Sequence, residues 1–380
     1  MKIGIFTECF EPVINGVVHS IESTKHGLED LGHEVYIFTP DYKNKNIRKA
    51  RVYPCPSFPL FKTGYHYVQV LPELIRKIAS EMDIFHTHHP FTMGQRAMKL
   101  ARDHNKPFIL TNHTQYSQYV ERFPFGKRLA KRVLFRYLRK FCDKTTLIVA
   151  PSHGIAKVIR NYGTKTKIEV VPNGIEIERF QEKDLPKPKA LEKVEKKKTI
   201  IFVGRVCYEK NIDFLIKSFQ KVVKDHPDAR LVIVGDGPAF NEFKNLTKEL
   251  KIEENVIMTG AIPYPEIRNF YPQAEFFVSA SKTEVHPMVG IEAVAAGLPI
   301  VSLESVGYED IIRNGKTGYL TSENEDGYAK RIIELLDDPA KVKKMSEESL
   351  KESKKYSVKA AAKNMLAAYK KAIKINKKIV

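Results

Sequence analysis

The chain has 380 residues, with 63 basic against 45 acidic side chains for a net charge of +18, and a hydrophobic content of 43%. That length exceeds one ordinary core and fits two domains of common size, and the apolar content is that of a globular protein. No apolar stretch reaches the length of a membrane span, and the N-terminus carries no signal-peptide pattern. The four cysteines (Cys9, Cys55, Cys142, Cys207) are scattered without a CxxC pair, which argues against a zinc or disulfide framework and for a reducing cytosol. The charge is uneven: residues 1–180 hold 28 Lys and Arg against 16 Asp and Glu, so +12 of the +18 lies there. A basic half implies a polyanionic partner, either nucleic acid or anionic lipid, although a Lys- and Glu-rich proteome of the thermophilic kind gives the same excess.

Along the chain, KIGIF, EVYIFTP, DIFHTH, PFILTNHT, LIVAPS and IEVVPNG read as strands, with helical periods between them. The alternation pauses at residues 181–198, a Pro- and Lys-rich stretch expected to be a linker. It restarts with TIIFVGR, LVIVGDG, VIMTG, EFFVSAS, PIVSL and TGYL. Continuous apolar strands alternating with helices predict buried parallel sheets. The expected fold class is therefore α/β, with two doubly wound parallel-sheet domains, 1–180 and 199–356, facing each other across a cleft. Residues 357–380 read as an Ala- and Lys-rich helix. Ligands in such sheets bind at the carboxyl ends of the strands.

The motifs fall at those ends. Gly16, in PVINGVV, follows the first strand and permits close approach of a phosphate near a helix N-terminus. His86, His88 and His89 cluster at the end of the third strand and His113 follows the fourth. Their spacing completes no tetrahedral set, so no metal is expected. In FVGRVCYEKN, Gly204, Arg205 and Lys210 follow a strand. Such a cation pair can clamp a diphosphate, and the same residues also read as solvated surface cations. Glu284 and Glu292 stand eight positions apart in TEVHPMVGIEAVAAG, the first before a helix and the second inside it. Two carboxylates so placed can grip different hydroxyl pairs of one ligand; they also fit a loop acid and a helix acid of no special role.

Taken in order, GxNGV, the strand-end HTH, His113-Thr114, VPNG, VGRxxxEKN, GDGP and Glu-x7-Glu resemble the retaining glycosyltransferases of family 4, over essentially the whole chain. Within that family, INGVVHSI, DIFHTHHPFTMG, HTQYSQYV and FGKRLAKRVLFRYLRKFCDK are most similar to the bacterial diacylglycerol α-glucosyltransferases. The resemblance implies the GT-B fold, with two Rossmann-like domains. The first would bind the acceptor, the second the nucleotide-sugar, and the last helix, 357–380, would return to the first. It implies that Arg205 and Lys210, beside Gly204, hold the donor diphosphate, that Glu292 binds the ribose hydroxyls, and that Glu284 contacts the donor sugar. His113 would lie near the sugar O6 and Gly16 beside the distal phosphate, with UDP-glucose the expected donor, no cofactor, and His113, Glu284, Arg205 and Lys210 as the catalytic set. Val285, His286 and Pro287 depart from the family's usual residues after the first glutamate and put the sugar's identity in question.

The acceptor is read from charge. Residues 122–140 hold eight basic side chains and no acid, with Arg128, Lys131, Arg132, Arg136 and Arg139 at helical spacing among apolar residues. That pattern suits a basic amphipathic helix lying on an anionic bilayer at the inner face of the membrane, and Phe58 and Phe61 extend it as an interfacial lip. The same helix also fits ordinary packing of its apolar side inward. Two alternatives stand: a family 4 transferase for a soluble sugar, polyol or sugar-phosphate, and a basic nucleic-acid-binding protein. No RNA- or DNA-binding signature supports the second, so no nucleic-acid partner is expected.

Overall fold

Strands that are apolar at every position must be covered on both faces, and the computed structural model of the chain shows two parallel sheets covered in that way. It describes all residues except Ile14, 43–48, 60–65, 121–125, Lys183, 193–197 and Val380, together with the side chains of Tyr119 and Ile379. Two units form: Met1–Gly174 with Val358–Val380, and Ile175–Ser357.

The strands of the first unit are β1 (Lys2–Phe6), β2 (Glu34–Pro40), β3 (Val52–Cys55), β4 (Phe58–Pro59), β5 (His66–Tyr67), β6 (Ile84–Thr87), β7 (Phe108–Thr111), β8 (Leu147–Ala150) and β9 (Ile168–Val170). Seven of them form a parallel sheet in the order β3-β2-β1-β6-β7-β8-β9, while β4 and β5 pair antiparallel with each other. The edge strand β3 contains Pro54, which hides it from a sequence reading; an edge tolerates the missing N–H. The helices are α1 (Gly16–Asp30), α2 (Glu73–Ser80), α3 (Thr92–Asp103), α4 (Tyr116–Val120), α5 (Lys127–Cys142) and α6 (His153–Arg160). Alternation along β1 sorts its side chains. Ile3 and Ile5 join Val18, Ile21 and Leu28 of α1 in the core, while Phe6, on the other face, stacks on Phe38 with ring centroids 4.5 Å apart.

In the second unit, β10 (Lys198–Val203), β11 (Ala229–Val234), β12 (Val256–Met258), β13 (Phe276–Ser279), β14 (Ile300–Leu303) and β15 (Gly318–Thr321) pair in parallel, in the order β12-β11-β10-β13-β14-β15. Its helices are α7 (Ile212–Asp225), α8 (Phe240–Glu249), α9 (Tyr264–Ile267), α10 (Met288–Ala295), α11 (Glu325–Asp337) and α12 (Pro339–Ser353). Ile200 and Phe202 of β10 enter the core on one face, and Ile201 and Val203 that on the other. Residues 175–191 pack onto this unit through Ile175, Ile177, Phe180 and Leu191, so the Pro- and Lys-rich run carries an apolar anchor. The Ile175 N–H donates to the Tyr356 carbonyl at 2.8 Å, placing the segments that enter and leave the unit side by side.

The final helix, α13 (Val358–Ile379), belongs to the first unit. Ala362, Met365, Ala368, Tyr369 and Ala372, at helical spacing, enter the core formed by α1 and the sheet. Gly27 of α1 sets how closely the two helices meet, because a Cβ there would lie 2.7 Å from the Ala362 Cβ.

Candidate active site

The strand order of the second sheet reverses between β10 and β13, so the loops leaving their carboxyl ends diverge around a crevice, the usual ligand position in an open α/β sheet. The first of these loops is pinned backbone to backbone. Gly204 has φ +153° and Gly235 has φ +136°, and a Cβ on Gly235 would lie 2.1 Å from the Gly204 oxygen. The Val206 N–H donates to Asp236 O at 2.9 Å. Arg205, on this clamped turn, has an exposed side chain that pairs with Glu209 at 3.0 Å.

A single 3-10 turn, Tyr208–Lys210, then carries Lys210 inward. Its Nζ lies 2.5 Å from Oε1 of Glu284, which sits in the loop between β13 and α10. The two side chains are 25% and 14% exposed, so this is a partly desolvated pair. Burial alone pulls the Lys210 ammonium's pKa down, and the Glu284 carboxylate more than offsets it, leaving the lysine firmly charged. Gly307 packs against the backbone of Glu284, where a Cβ would come within 2.8 Å.

Glu292 does not join that pair. It is buried in α10 and accepts hydrogen bonds from the hydroxyls of Tyr271 at 2.7 Å and Tyr264 at 3.2 Å. Burial raises its pKa and the two hydroxyls pull it back. His286 packs inward, its ring centroid 5.6 Å from that of Tyr356, and burial lowers its pKa to about 4. Of the three residues that depart from the family pattern, His286 is thus an interior one.

In the first unit the strand order reverses between β1 and β6. Gly16 opens α1, with the Asn15 side chain capping the helix by accepting from the N–H groups of Val17 and Val18 at 3.0 Å each. His86, His88 and His113 stand in contact in a row. His86 is held by Tyr369 Oη at 2.8 Å and Thr111 Oγ1 at 2.7 Å, and His88 Nδ1 lies 2.8 Å from Nε2 of half-buried His113. His89 Nδ1 accepts from the Glu8 N–H at 3.3 Å. Burial lowers the pKa of His86 to about 3 and that of His89 to about 4. Among the described residues no group of His, Cys, Asp and Glu is arranged to hold a metal ion. Glu8, at the end of β1, is buried and accepts from Thr92 Oγ1 and the Met93 N–H at 2.7 Å each, at the N-terminus of α3. Burial pushes its carboxyl up to about 7, against the pull of those hydrogen bonds.

The basic stretch forms α5, which buries only Leu138, Phe141 and Cys142. Arg128, Lys131, Arg132 and Arg136 are exposed, and so are Leu129 at 66% and Val133 at 61%. Arg139 is exposed too, but it pairs with Asp143 at 3.5 Å. Phe58 is 63% exposed, while Phe61 lies outside the described residues. No helix of the described chain is long and apolar enough to cross a membrane.

Tyr264, Tyr271, Glu8 and His88 take part in these contacts, yet the sequence reading gave none of them a role. The one available signal was position, since Glu8, His88 and Tyr264 all closely follow strands.

Two protein families match the chain: the model described as "Glycosyltransferase Family 4" over residues 14–179 and that described as "Glycosyl transferases group 1" over residues 184–352. The alpha-monoglucosyldiacylglycerol synthase of Streptococcus pneumoniae is 31% identical over 88% of the chain and 78% of its own length. The enzyme of the same name from Acholeplasma laidlawii is 27% identical over 100% of the chain and 99% of its own length. Among solved structures, HepE of Anabaena in complex with UDP superposes with a TM-score of 0.80 at 16% identity, covering 97% of this chain and 100% of that one. That likeness gives the fold, GT-B. The 31% identical relative and the two adjoining family matches show that the chain belongs to the glycosyltransferases of the group 1 and family 4 type and is an enzyme of that class.

Proposed function

We propose that this enzyme moves glucose from UDP-glucose to a diacylglycerol-type lipid at an anionic membrane surface, with retention of anomeric configuration. The names of the two bacterial relatives motivate the donor sugar and the acceptor. The observation that carries the membrane reading is α5, where Leu129 and Val133 stand exposed among Arg128, Lys131, Arg132 and Arg136. Exposed aliphatic side chains flanked by cations suit insertion between anionic headgroups, each cation contributing about 1 kcal/mol. Phe58 would add a further apolar contact. The enzyme would then act as a peripheral protein of the membrane's inner face.

In this reading Arg205 and Lys210, beside Gly204, hold the diphosphate, Glu292 the ribose hydroxyls and Glu284 the sugar hydroxyls. The resemblance assigns His113 to the sugar O6 and Gly16 to the distal phosphate. The glycosidic C–O bond breaks with its electron pair passing to the departing UDP, whose growing charge Arg205 and Lys210 neutralise. The lipid hydroxyl attacks the same face and its proton passes to the departing phosphate oxygen, so no protein nucleophile is needed. Glu292 is held by two tyrosine hydroxyls, one on each carboxylate oxygen, and each oxygen keeps a further lone pair with which to accept from a ribose diol.

The test is radiolabelled UDP-glucose offered with dioleoylglycerol in phosphatidylglycerol vesicles. Label extracted into chloroform as an α-linked glucolipid supports the proposal. Hydrolysis of the donor with no labelled lipid would remove the lipid acceptor and leave a soluble hydroxyl compound as the substrate.

A further inference from the structure

His88 sits at the centre of the histidine row, and neither the family matches nor the resemblance gives it a role. It is 1% exposed and lies between two other imidazoles: its ring centroid is 4.5 Å from that of His86 and 5.0 Å from that of His113. The His88 and His113 rings are nearly parallel, 8° apart, and Nδ1 of the first lies 2.8 Å from Nε2 of the second. His86 is fixed in turn by Thr111 and by Tyr369 of α13. The row therefore runs from the buried core of the first unit outward to half-buried His113.

Only one of the two facing nitrogens can carry a proton. Nε2 of His88 is buried and has no hydrogen-bond partner among the described residues. A buried N–H without an acceptor is rarer and costlier than a bare lone pair, so the network assigns the His88 proton to Nδ1, which donates to His113. Burial and the neighbouring imidazoles hold the His88 pKa well down, so this nitrogen is a neutral donor, not part of an imidazolium. His113, accepting at Nε2, then carries its own proton on Nδ1. A hydrogen bond to one ring nitrogen decides what the other offers.

We propose that His88 is a positioning residue of the glycosyl transfer: it fixes His113 as the Nδ1–H tautomer, in the ring orientation with which His113 acts on the hydroxymethyl group of the donor hexose. This rests on the reading under Proposed function that His113 lies near the sugar O6. His88 itself touches no substrate, and its effect passes entirely through His113.

The test compares UDP-glucose with UDP-xylose, which lacks the hydroxymethyl group, in wild type, H113A, H88F and H88N. H113A is expected to lose the preference of the wild type for UDP-glucose in kcat/KM. H88F, which keeps the ring stack and removes the donor, should shrink that preference by about tenfold, the worth of one hydrogen bond in the transition state. H88N should restore most of it, because the asparagine amide nitrogen can sit where Nδ1 does. Loss of the preference in H113A with full retention in H88F would overturn the role of His88 alone. Retention in H113A would overturn the sugar contact of His113 and the inference with it. Nitrogen-15 spectroscopy of the histidine rings in the wild-type enzyme needs no variant: His113 protonated on Nδ1 supports the assignment, and His113 protonated on Nε2 contradicts it.

Discussion

The ammonium of Lys210 and the carboxylate of Glu284 meet at 2.5 Å across two loops that are 74 residues apart in sequence. Their meeting follows from the sheet, because β10 and β13 are neighbours and both loops leave from carboxyl ends. In the proposed mechanism a diphosphate must share Lys210 with Glu284. Glu284→Gln removes the competing anion, so UDP is expected to bind several-fold tighter, on the order of 1 kcal/mol for one partly exposed charge pair, while glucose transfer falls. Calorimetry with UDP and steady-state turnover separate the two effects. Weaker UDP binding in this variant would mean that Glu284 holds Lys210 in place for the phosphates and does not compete with them.

Tyr271 is fully buried and makes the shorter of the two bonds to Glu292. Tyr271→Phe leaves a buried carboxylate with one tyrosine partner, at an expected loss of roughly 1–3 kcal/mol in stability. Tyr264→Phe removes the longer bond, 3.2 Å, and should cost less. Urea unfolding of the two variants checks the order, and equal losses would contradict it.

Glu8 gives a pH prediction of definite sign. Its carboxyl rises from 4.5 to about 7 on folding, with burial as the main cause. Its contribution to stability is therefore complete below about pH 4.5 and is lost as pH rises through about 7, a difference of order 3 kcal/mol. Glu8→Gln cannot ionise, so the difference in unfolding free energy between variant and wild type should shift in the variant's favour across that window. A difference that stays constant with pH would contradict the raised value. The buried histidines act with the opposite sign. His86 and His89, lowered to about 3 and about 4, contribute stability that is lost as pH falls below the free-histidine value of 6.5. Only the difference between variant and wild type isolates Glu8.

On α5 the charges to remove are Arg128, Lys131, Arg132 and Arg136, since Arg139 already pairs with Asp143. Changing these four to Gln should weaken binding to phosphatidylglycerol vesicles by about 1 kcal/mol each and spare turnover on detergent-dispersed acceptor. Vesicle flotation reads the first effect and a micellar assay the second. Undiminished flotation would remove α5 as the membrane contact.

The parallel sheets were legible because both neighbours along a strand, such as Ile200 and Ile201, are apolar, which only a sheet covered on both faces accommodates. Strand β3 was not legible, since Pro54 breaks the strand signal at an edge position. Glu284, Glu292, Arg205 and Lys210 were visible as residue types in strand-end loops. What they touch was not: Glu292 meets tyrosines 21 and 28 positions away, through packing that no spacing announces. The histidine row was half legible. His86 lies in β6 and His88 just past its end, two residues on, but the His88–His113 contact depends on β6 and β7 pairing as His86 with Ile109. Glu8 matches no motif, and its raised pKa comes from burial, against the pull of its hydrogen bonds from the N-terminus of α3.

The central claim is that the two cations after β10 carry the chemistry, and the rate of glucose transfer by Lys210→Ala tests it most directly. Turnover at saturating UDP-glucose, corrected for the folded fraction, is expected to fall about 100-fold or more, as when a fixed donor to a developing anion is removed. A variant that folds and transfers glucose at the wild-type rate would contradict the account.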